Sequence, residues 1–184
     1  MGIFKNHISI YNPMKEQQCL VIIKPDGIIK SLTGNIISAL SETKLKIVGA
    51  KIVKVSEKKE HLEKHYADLK ARKPHVFEAT IKYMTGTYHA DRVLALVYHG
   101  EDAINKIREI CGVTNPEDAQ PITIRGKYGR INSKTGVFEN VVHASDSEES
   151  AEREIKHWFS PEELAETIYP SKEESLKLSR RVWK

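Results

Sequence analysis

Four segments of strand length, apolar or alternating between apolar and polar residues, constrain the fold of this chain more than any other feature, and amphipathic helical segments separate them. The strand segments are 19–23, 45–55, 92–98 and the stretch that ends at His143. Two helical segments lie between the second and third strands, and one lies in each of the other two intervals. This order predicts an α+β fold, a ferredoxin-like βαββαβ sandwich with a four-stranded antiparallel sheet and an inserted helical pair.

A doubly wound parallel sheet is the alternative architecture. The glycine fingerprint that such dinucleotide-binding folds carry after the first strand is absent from this sequence, and no Walker A motif occurs in it. If a nucleotide binds, its phosphates must therefore be held by scattered side chains rather than by a glycine-rich loop.

A histidine stands between the last predicted strand and the helix that follows it. Four residues share one face of the extended segment there: Val137, Glu139, Val141 and His143. Ser145, with Glu148 three residues later, matches a capping box, which predicts a helix N-terminus. Backbone N–H groups and the helix dipole favour anions at such a terminus, so His143 is a candidate nucleophile for phosphate chemistry.

The other seven histidines have no comparable setting. For any single histidine a surface or packing role is more common than a catalytic one. We therefore expect surface or packing roles for six of them, and His75 is considered further below. The six are His7, His61, His65, His89, His99 and His157.

Three cations and an amide are candidates for binding phosphate. Lys24 follows the first strand, Arg108 lies near the inward face of the helix over 101–111, and Arg125 falls in a long segment, 112–138, that is loop-like in composition. Asn140 precedes His143. An arginine among apolar neighbours costs desolvation free energy unless it is paired. Each residue alone fits a surface role equally well, but together with His143 they fit phosphoryl transfer.

Composition sets broad limits on the protein class. The chain has 184 residues, 40% of them hydrophobic, which suits one domain with short tails. It has no apolar run long enough for a membrane span and no signal-peptide core, and its two cysteines, Cys19 and Cys111, have apolar neighbours typical of buried free thiols. We therefore expect a cytoplasmic protein without membrane association. The net charge of +4 does not by itself indicate nucleic-acid binding.

The stretch from Asn140 to Ser147, NVVHASDS, resembles the active-site signature of nucleoside diphosphate kinases. Five further segments resemble family segments in the same order: 23–27, 65–69, 114–116, 123–126 and 158–164. The resemblance implies a catalytic domain over 18–165, with an N-terminal extension over 1–17 and a C-terminal tail over 166–184.

The resemblance also implies the reaction and the residues that perform it. A nucleoside triphosphate such as ATP would give its γ-phosphoryl group to His143, and a nucleoside diphosphate would then take it, in a ping-pong cycle. Glu154 would hold the other ring nitrogen and fix the tautomer. The residues that match the family's phosphate and ribose contacts are Lys24, Arg108, Thr114, Arg125 and Asn140, and Tyr66 matches its supporting hydroxyl.

The resemblance also implies a cofactor and an oligomeric assembly. Mg²⁺ would be carried by the nucleotide phosphates, which agrees with a sequence that has no metal-ligand cluster. The resemblance implies a homo-hexamer or a homo-tetramer and leaves the choice between them open.

The sequence departs from the family pattern at several places. An aromatic residue that stacks on the base usually follows the Arg-Pro or Lys-Pro step; here register favours His75 and chemistry favours Phe77. Ile122 replaces a common glycine, Lys127 replaces a usual acidic residue, and the segment 129–139 is longer than usual.

A non-catalytic protein on the same fold, binding nucleotides or nucleic acid, is the alternative function. The sequence shows no interleaving of aromatic and basic residues of the kind that binds single strands, so nucleic-acid binding is not expected. The basic C-terminal tail is expected to be solvated, although a structural role for it would be compatible with catalysis. Its cations are Lys177, Arg180, Arg181 and Lys184.

Overall fold

The structure is a computed structural model that describes residues 15–175 and residue 183. The described residues contain six strands: β1 (Glu16–Ile23), β2 (Lys46–Lys54), β3 (Arg92–Glu101), β4 (Arg130–Ile131), β5 (Phe138–Glu139) and β6 (Val142–Ala144). The helices are α1 (Pro25–Ile29), α2 (Thr33–Ser41), α3 (Lys59–His65), α4 (Ala67–Arg72), α5 (Pro74–Met84), α6 (Ala103–Cys111), α7 (Ile124–Tyr128) and α8 (Glu148–Trp158). A 3₁₀ turn follows at Pro161–Glu163.

Four strands form one antiparallel sheet in the order β2-β3-β1-β6. Strand β1, one of the two inner strands, is buried from Gln18 onward, which explains why its sequence is a continuous apolar run rather than an alternating one. With α2 and α6 as the connections, this is the ferredoxin-like arrangement, and the fold prediction is confirmed. The inserted segment contains three helices instead of the predicted pair, because the backbone leaves the helical conformation at Tyr66.

The core lies between this sheet and the helices. Buried apolar residues recur at helical spacing on α2 (Ile36, Leu40), α5 (Phe77, Ile81, Met84), α6 (Ile104, Ile107, Cys111) and α8 (Ala151, Ile155, Trp158). Burying each large apolar side chain contributes about 1.5–3 kcal/mol. These stripes hold the helix ends that border the site in place.

The strand that carries His143 is interrupted at Val141. Val141 has a φ of 58°, in the left-handed region, so 137–143 is not one extended segment and the prediction of a single shared face is wrong. Two bonds to the β1–α1 junction hold this conformation: the Lys24 N–H donates to the Val141 carbonyl (2.9 Å), and the Val141 N–H donates to Asp26 (3.3 Å). Strand β6 starts immediately afterwards and presents His143.

The predicted capping box at Ser145 is also wrong. Helix α8 begins at Glu148, and its N-cap is Ser147, whose hydroxyl accepts a hydrogen bond from the Ser150 N–H. The Ser145 hydroxyl is engaged in the core instead, where it bonds to Glu154 and to the Leu20 N–H. Tertiary contacts therefore outweigh the local capping pattern.

Two stretches expected to lack regular structure contain short elements. The segment 24–27 begins helix α1, with Pro25 at its first position. Within 112–138 the chain forms α7 and the first strand of a hairpin in which β4 pairs with β5. The turn of this hairpin (130–139) is closed at Gly136, whose φ is 66° and whose N–H donates to the Asn132 carbonyl at 2.8 Å.

No helix within 15–175 is both long and apolar enough to cross a membrane. The basic residues of the predicted tail, Lys177, Arg180, Arg181 and Lys184, lie outside the described residues, as do residues 1–14 of the predicted extension and His7 with them.

Candidate active site

A cleft of about 570 Å³ opens where β1, β6 and α6 end. Helices α4 and α5 border it on one side, and residues 135–138 of the hairpin (130–139) border it on another. Of the ten predicted site residues, nine line this cleft: Lys24, Tyr66, His75, Arg108, Thr114, Arg125, Asn140, His143 and Glu154. The structure thus brings together residues that are spread over 131 positions of the sequence (24 to 154).

His143 is joined to Glu154 across the β6–α8 connection. The two side chains form a hydrogen bond of 2.9 Å between Nε2 and Oε2, and the Ser145 hydroxyl donates to the same oxygen at 2.7 Å. Burial raises the pKa of Glu154, but the charge and hydrogen bond of His143, with contributions from His65 and Ser145, outweigh burial and bring the pKa to about 2. Glu154 is therefore an ionised acceptor near neutral pH.

This bond decides which nitrogen of His143 is available. A carboxylate can only accept, so Nε2 carries the proton and Nδ1 keeps a lone pair. Nδ1 has no hydrogen-bond partner within the described part of the chain, and the side chain is 19% exposed at the cleft. An unprotonated, accessible imidazole nitrogen is the form required of a nucleophile.

Lys24 brings a nearly buried ammonium group to the cleft. Its Nζ donates to Asn140 Oδ1 at 2.7 Å, and Asn140 Nδ2 donates to the Thr114 carbonyl at 2.7 Å. Burial, with a smaller effect of Arg125, lowers the pKa of Lys24 to about 8. The group is still mostly charged at pH 7, and this short chain of bonds fixes its position at the end of β1.

Arg125 is a buried cation whose hydrogen bonds go to neutral groups. It lies in α7, whose N-cap is the hydroxyl of Thr123. Its guanidinium donates to the carbonyls of Gly112 (2.6 Å) and Val142 (3.2 Å), while its Nε is buried and has no partner among the described residues. Burial lowers its pKa, with a smaller contribution from Arg108. A buried cation bonded to carbonyls rather than carboxylates retains a strong attraction for an anion.

Tyr66 and Arg108 complete the polar lining of the cleft. The Tyr66 hydroxyl is buried without a hydrogen-bond partner in the described chain, and burial raises its pKa, so it remains a donor. Arg108 is half-buried in the last turn of α6 and adds a third cation. The lining therefore combines several cations with a free donor, as an oligophosphate requires.

The structure separates the two candidates for base stacking. His75 is exposed in the first turn of α5 and lines the cleft. Phe77 is only 2% exposed and packs in the core, and it does not line the cleft. The prediction of Phe77 as a substrate contact is therefore wrong, because its ring has no face open to a ligand.

Several residues that line the cleft are not among the predicted site residues. Arg72 and Lys73 line the cleft just before Pro74, and Arg153 lines it from α8, where it pairs with Asp68 at 2.8 Å. Their closeness in the sequence to His75 and Glu154 is the one feature that could have indicated them as site residues. His65, expected to be a packing residue, also lines the cleft.

One cluster has the residue types of a metal site: ligand atoms of His65, His143 and Glu154 lie within 4.8 Å of one another. The indole N–H of Trp158 donates to His65 Nδ1, however, so in the neutral ring Nε2 carries the proton. Neither nitrogen of His65 then has a free lone pair, since Nδ1 accepts from Trp158 and Nε2 is protonated, and this does not suit metal coordination.

Comparisons with known proteins agree on one family. The sequence model of the family described as nucleoside diphosphate kinase matches residues 17–164. The chain is 45% identical over 150 residues to a nucleoside diphosphate kinase of Pyrococcus furiosus, covering 82% of this chain and 87% of the relative. It is 39% identical over 150 residues to nucleoside diphosphate kinase A of Rattus norvegicus, covering 82% and 90%.

Solved structures give the same result. The fold is similar to a transition-state mimic of the Borrelia burgdorferi nucleoside diphosphate kinase with bound vanadate and ADP, with a TM-score of 0.74 and 33% identity over 84% of this chain and 93% of that one. It is also similar to a halophilic nucleoside diphosphate kinase from Halobacterium salinarum in complex with CDP, with a TM-score of 0.71 and 32% identity over 84% and 95%.

Proposed function

The chain belongs to the nucleoside diphosphate kinase family and transfers the γ-phosphate of a nucleoside triphosphate to a nucleoside diphosphate, and we propose that His143 carries the phosphate between them. The comparisons give no support to the alternative of a non-catalytic binding protein.

In the proposed first half-reaction, His143 Nδ1 attacks the γ-phosphorus of the bound triphosphate. An N–P bond forms while the bond from the γ-phosphorus to the bridging oxygen breaks, and the electron pair of that bond leaves with the nucleoside diphosphate. A terminal oxygen of a second diphosphate then attacks the phosphorus and releases Nδ1. No proton has to leave Nδ1, because the proton of the neutral ring is already on Nε2.

The observation that carries this proposal is the bond between His143 Nε2 and Glu154. The ring gains positive charge as the N–P bond forms, and the ionised Glu154 lies next to the N–H where part of that charge appears. The carboxylate thus favours both the reactive tautomer and the charge of the phosphorylated ring.

The remaining cleft residues would bind the substrate. Lys24, Arg108 and Arg125 are proposed to neutralise phosphate oxygens, as phosphoryl transfer requires. Tyr66 would donate its free hydroxyl to the site, Thr114 and Asn140 would contact the ribose or the phosphates, and His75 would stack on the base. The vanadate and ADP bound to the Borrelia relative support a cleft that accepts a nucleotide beside a phosphoryl group.

We propose that the nucleotide enters as its Mg²⁺ complex, with the ion held by phosphate oxygens. The described cleft offers little of its own for a hard cation: Asp68 is paired with Arg153, and Glu154 is bonded to His143 and Ser145. Asp146 is the remaining carboxylate of the lining. A metal that travels with the substrate fits this donor set.

The proposal also covers the oligomeric assembly of the protein, its cellular location and the bounds of its catalytic domain. Strand β2 lies at an edge of the sheet and exposes Ile47 and Ile52, which suits a contact with a second copy in a hexamer or tetramer. The free, buried thiols of Cys19 and Cys111 suit the reducing cytoplasm. We retain 18–165 as the catalytic domain, between the extension 1–17 and the tail 166–184.

The test is intact-mass analysis after incubation with ATP and Mg²⁺, at an alkaline pH that preserves phosphohistidine. We expect one added phosphate on the wild type, its loss on addition of a nucleoside diphosphate, and no addition to His143→Ala. His99→Gln is the matched control, because His99 is a buried histidine outside the cleft lining. A phosphorylated His143→Ala protein that still exchanges phosphate would overturn the assignment.

A further inference from the structure

His65 packs against the proposed nucleophile although nothing in the proposed mechanism uses it. Its ring and that of His143 meet edge to face, with centroids 4.6 Å apart and planes at 76°. His65 is the last residue of α3, is buried, and borders the cleft. A contact this close to the reacting ring can influence how that ring is oriented.

Trp158 fixes the protonation state of His65. The indole N–H donates to His65 Nδ1 at 3.1 Å, and an indole has no acceptor to offer. Nδ1 must therefore be unprotonated. Burial, followed by the effect of His143, lowers the pKa of His65 well below its ordinary value, so the ring is neutral and carries its single proton on Nε2.

The Nε2–H of His65 is buried and has no hydrogen-bond partner among the described residues. A buried donor without a partner is costly, and such groups in native structures call for an explanation. The ring of His143, 4.6 Å away and nearly perpendicular, is a candidate acceptor for it, because an N–H that meets the face of an aromatic ring makes a weak but orienting interaction.

Helix α8 holds both imidazoles. Glu154 and Trp158 are four residues apart and so lie on the same face of the helix, where one binds His143 and the other binds His65. Two partners on one rigid element, each fixing one ring nitrogen, give the pair of histidines a single defined arrangement.

We propose that His65 is a positioning residue for phosphoryl transfer: locked by Trp158 as the Nε2–H tautomer, it holds the His143 ring so that Nδ1 faces the cleft. This inference rests on the proposed function of His143. It predicts that the nitrogen atoms of His65 matter, and not only the volume of its ring.

Three variants separate these roles. His65→Phe keeps a ring and removes both nitrogens, and His65→Gln keeps an N–H donor. Trp158→Phe removes the N–H that fixes the tautomer, together with part of the volume of the buried indole. The rate of His143 phosphorylation is measured in single turnovers at saturating ATP, and ATP affinity is measured separately. We expect His65→Phe to lower the rate at least tenfold, since a small misplacement of a reacting group costs about this much or more. ATP affinity should stay within about twofold, since no binding group is removed.

Further measurements distinguish a role of the His65 nitrogens from a role of its ring volume alone. His65→Gln should recover most of the lost rate, and Trp158→Phe should give an intermediate rate, whereas a pure packing role would be met by His65→Phe. ¹⁵N NMR of the wild type should show His65 as the neutral Nε2–H tautomer at pH 7, which tests the premise without any variant. His99→Gln again serves as the control for loss of a buried histidine.

A wild-type rate in His65→Phe, or an Nδ1–H tautomer in the wild type, would overturn the inference. Peptide mapping of the phosphorylated wild type distinguishes this failure from failure of the proposed function. A phosphate on His143 together with an unaffected His65→Phe rejects only the role of His65. A phosphate elsewhere rejects both.

Discussion

His143 and Glu154 lie on different elements, β6 and α8, and their side chains meet at 2.9 Å between Nε2 and Oε2. Glu154 is 6% exposed, so the bond forms largely away from water. A charge-assisted hydrogen bond is stronger in such a setting than at the surface. It gives His143 a defined tautomer before any substrate arrives.

Glu154→Gln should lower the rate of His143 phosphorylation by roughly 10²-fold or more, because an amide neither supports the charge of the phosphorylated ring nor enforces the Nε2–H tautomer. Rapid-quench measurement with γ-labelled ATP gives this rate directly. Glu152→Gln is a matched control on the same helix, since Glu152 pairs with Lys156 at the surface. A rate within twofold of wild type in Glu154→Gln would contradict the assigned role.

Lys24 should give the enzyme an alkaline limit. Its pKa is about 8 in the free protein, so the ammonium is charged below this pH and neutral above it. We expect kcat/KM for the triphosphate to fall as pH rises through about 8, because kcat/KM reports ionisation of the free enzyme. Lys24→Arg, which stays charged, should move the limit to higher pH. An unchanged profile in Lys24→Arg would assign the limit to another group.

The sequence predicted the framework well because its strongest signals are local and periodic. The buried run 19–23 and the helical stripes ending at Leu40, Met84 and Cys111 all lie in the predicted elements. Spacing of apolar residues reports which face of an element is buried, and that is what the fold requires. These signals say little about how distant segments meet.

The predictions that are wrong concern residues whose conformation or hydrogen-bond partner is set by tertiary contacts. Ser145 has the local pattern of a cap, but its hydroxyl bonds to Glu154 instead. Val141 has no local signal for a left-handed conformation, which depends on Lys24 and Asp26. For Phe77 the signal was present: it lies four and seven residues before Ile81 and Met84, on the buried stripe of α5.

His75 and Phe77 should respond differently to substitution. His75→Ala should raise the KM for ATP about fivefold without lowering kcat, the amount expected from losing about 1 kcal/mol of stacking. Phe77→Ala should leave KM unchanged and reduce the free energy of unfolding by about 3 kcal/mol through the cavity it creates. Steady-state kinetics and urea unfolding of both variants test the pair. A larger KM effect in Phe77→Ala than in His75→Ala would reverse the assignment.

Glu139 links the hairpin (130–139) to the rest of the fold. Its buried carboxylate accepts hydrogen bonds from Arg130 Nε (2.7 Å), Asn132 Nδ2 (2.6 Å) and His89 Nε2 (3.0 Å). Burial raises the pKa of Glu139, but these three bonds outweigh burial and lower the pKa from 4.5 to about 2. Since residues 135–138 border the cleft, this cluster also determines the shape of one cleft wall.

Glu139→Gln should therefore reduce the free energy of unfolding by about 2 kcal/mol near pH 7, because the change removes the buried carboxylate to which Arg130, Asn132 and His89 donate. A carboxyl whose pKa is lower in the folded than in the unfolded protein stabilises fully above about pH 4.5, and this stabilisation is lost as pH falls towards 2. The difference between wild type and Glu139→Gln should thus shrink over that interval in urea unfolding. Glu60→Gln, a change of an exposed carboxylate, should differ from wild type by less than about 0.5 kcal/mol at every pH. If the effect of Glu139→Gln is the same at pH 3 and pH 7, the packing and hydrogen bonding of the side chain, and not its charge, hold the hairpin in place.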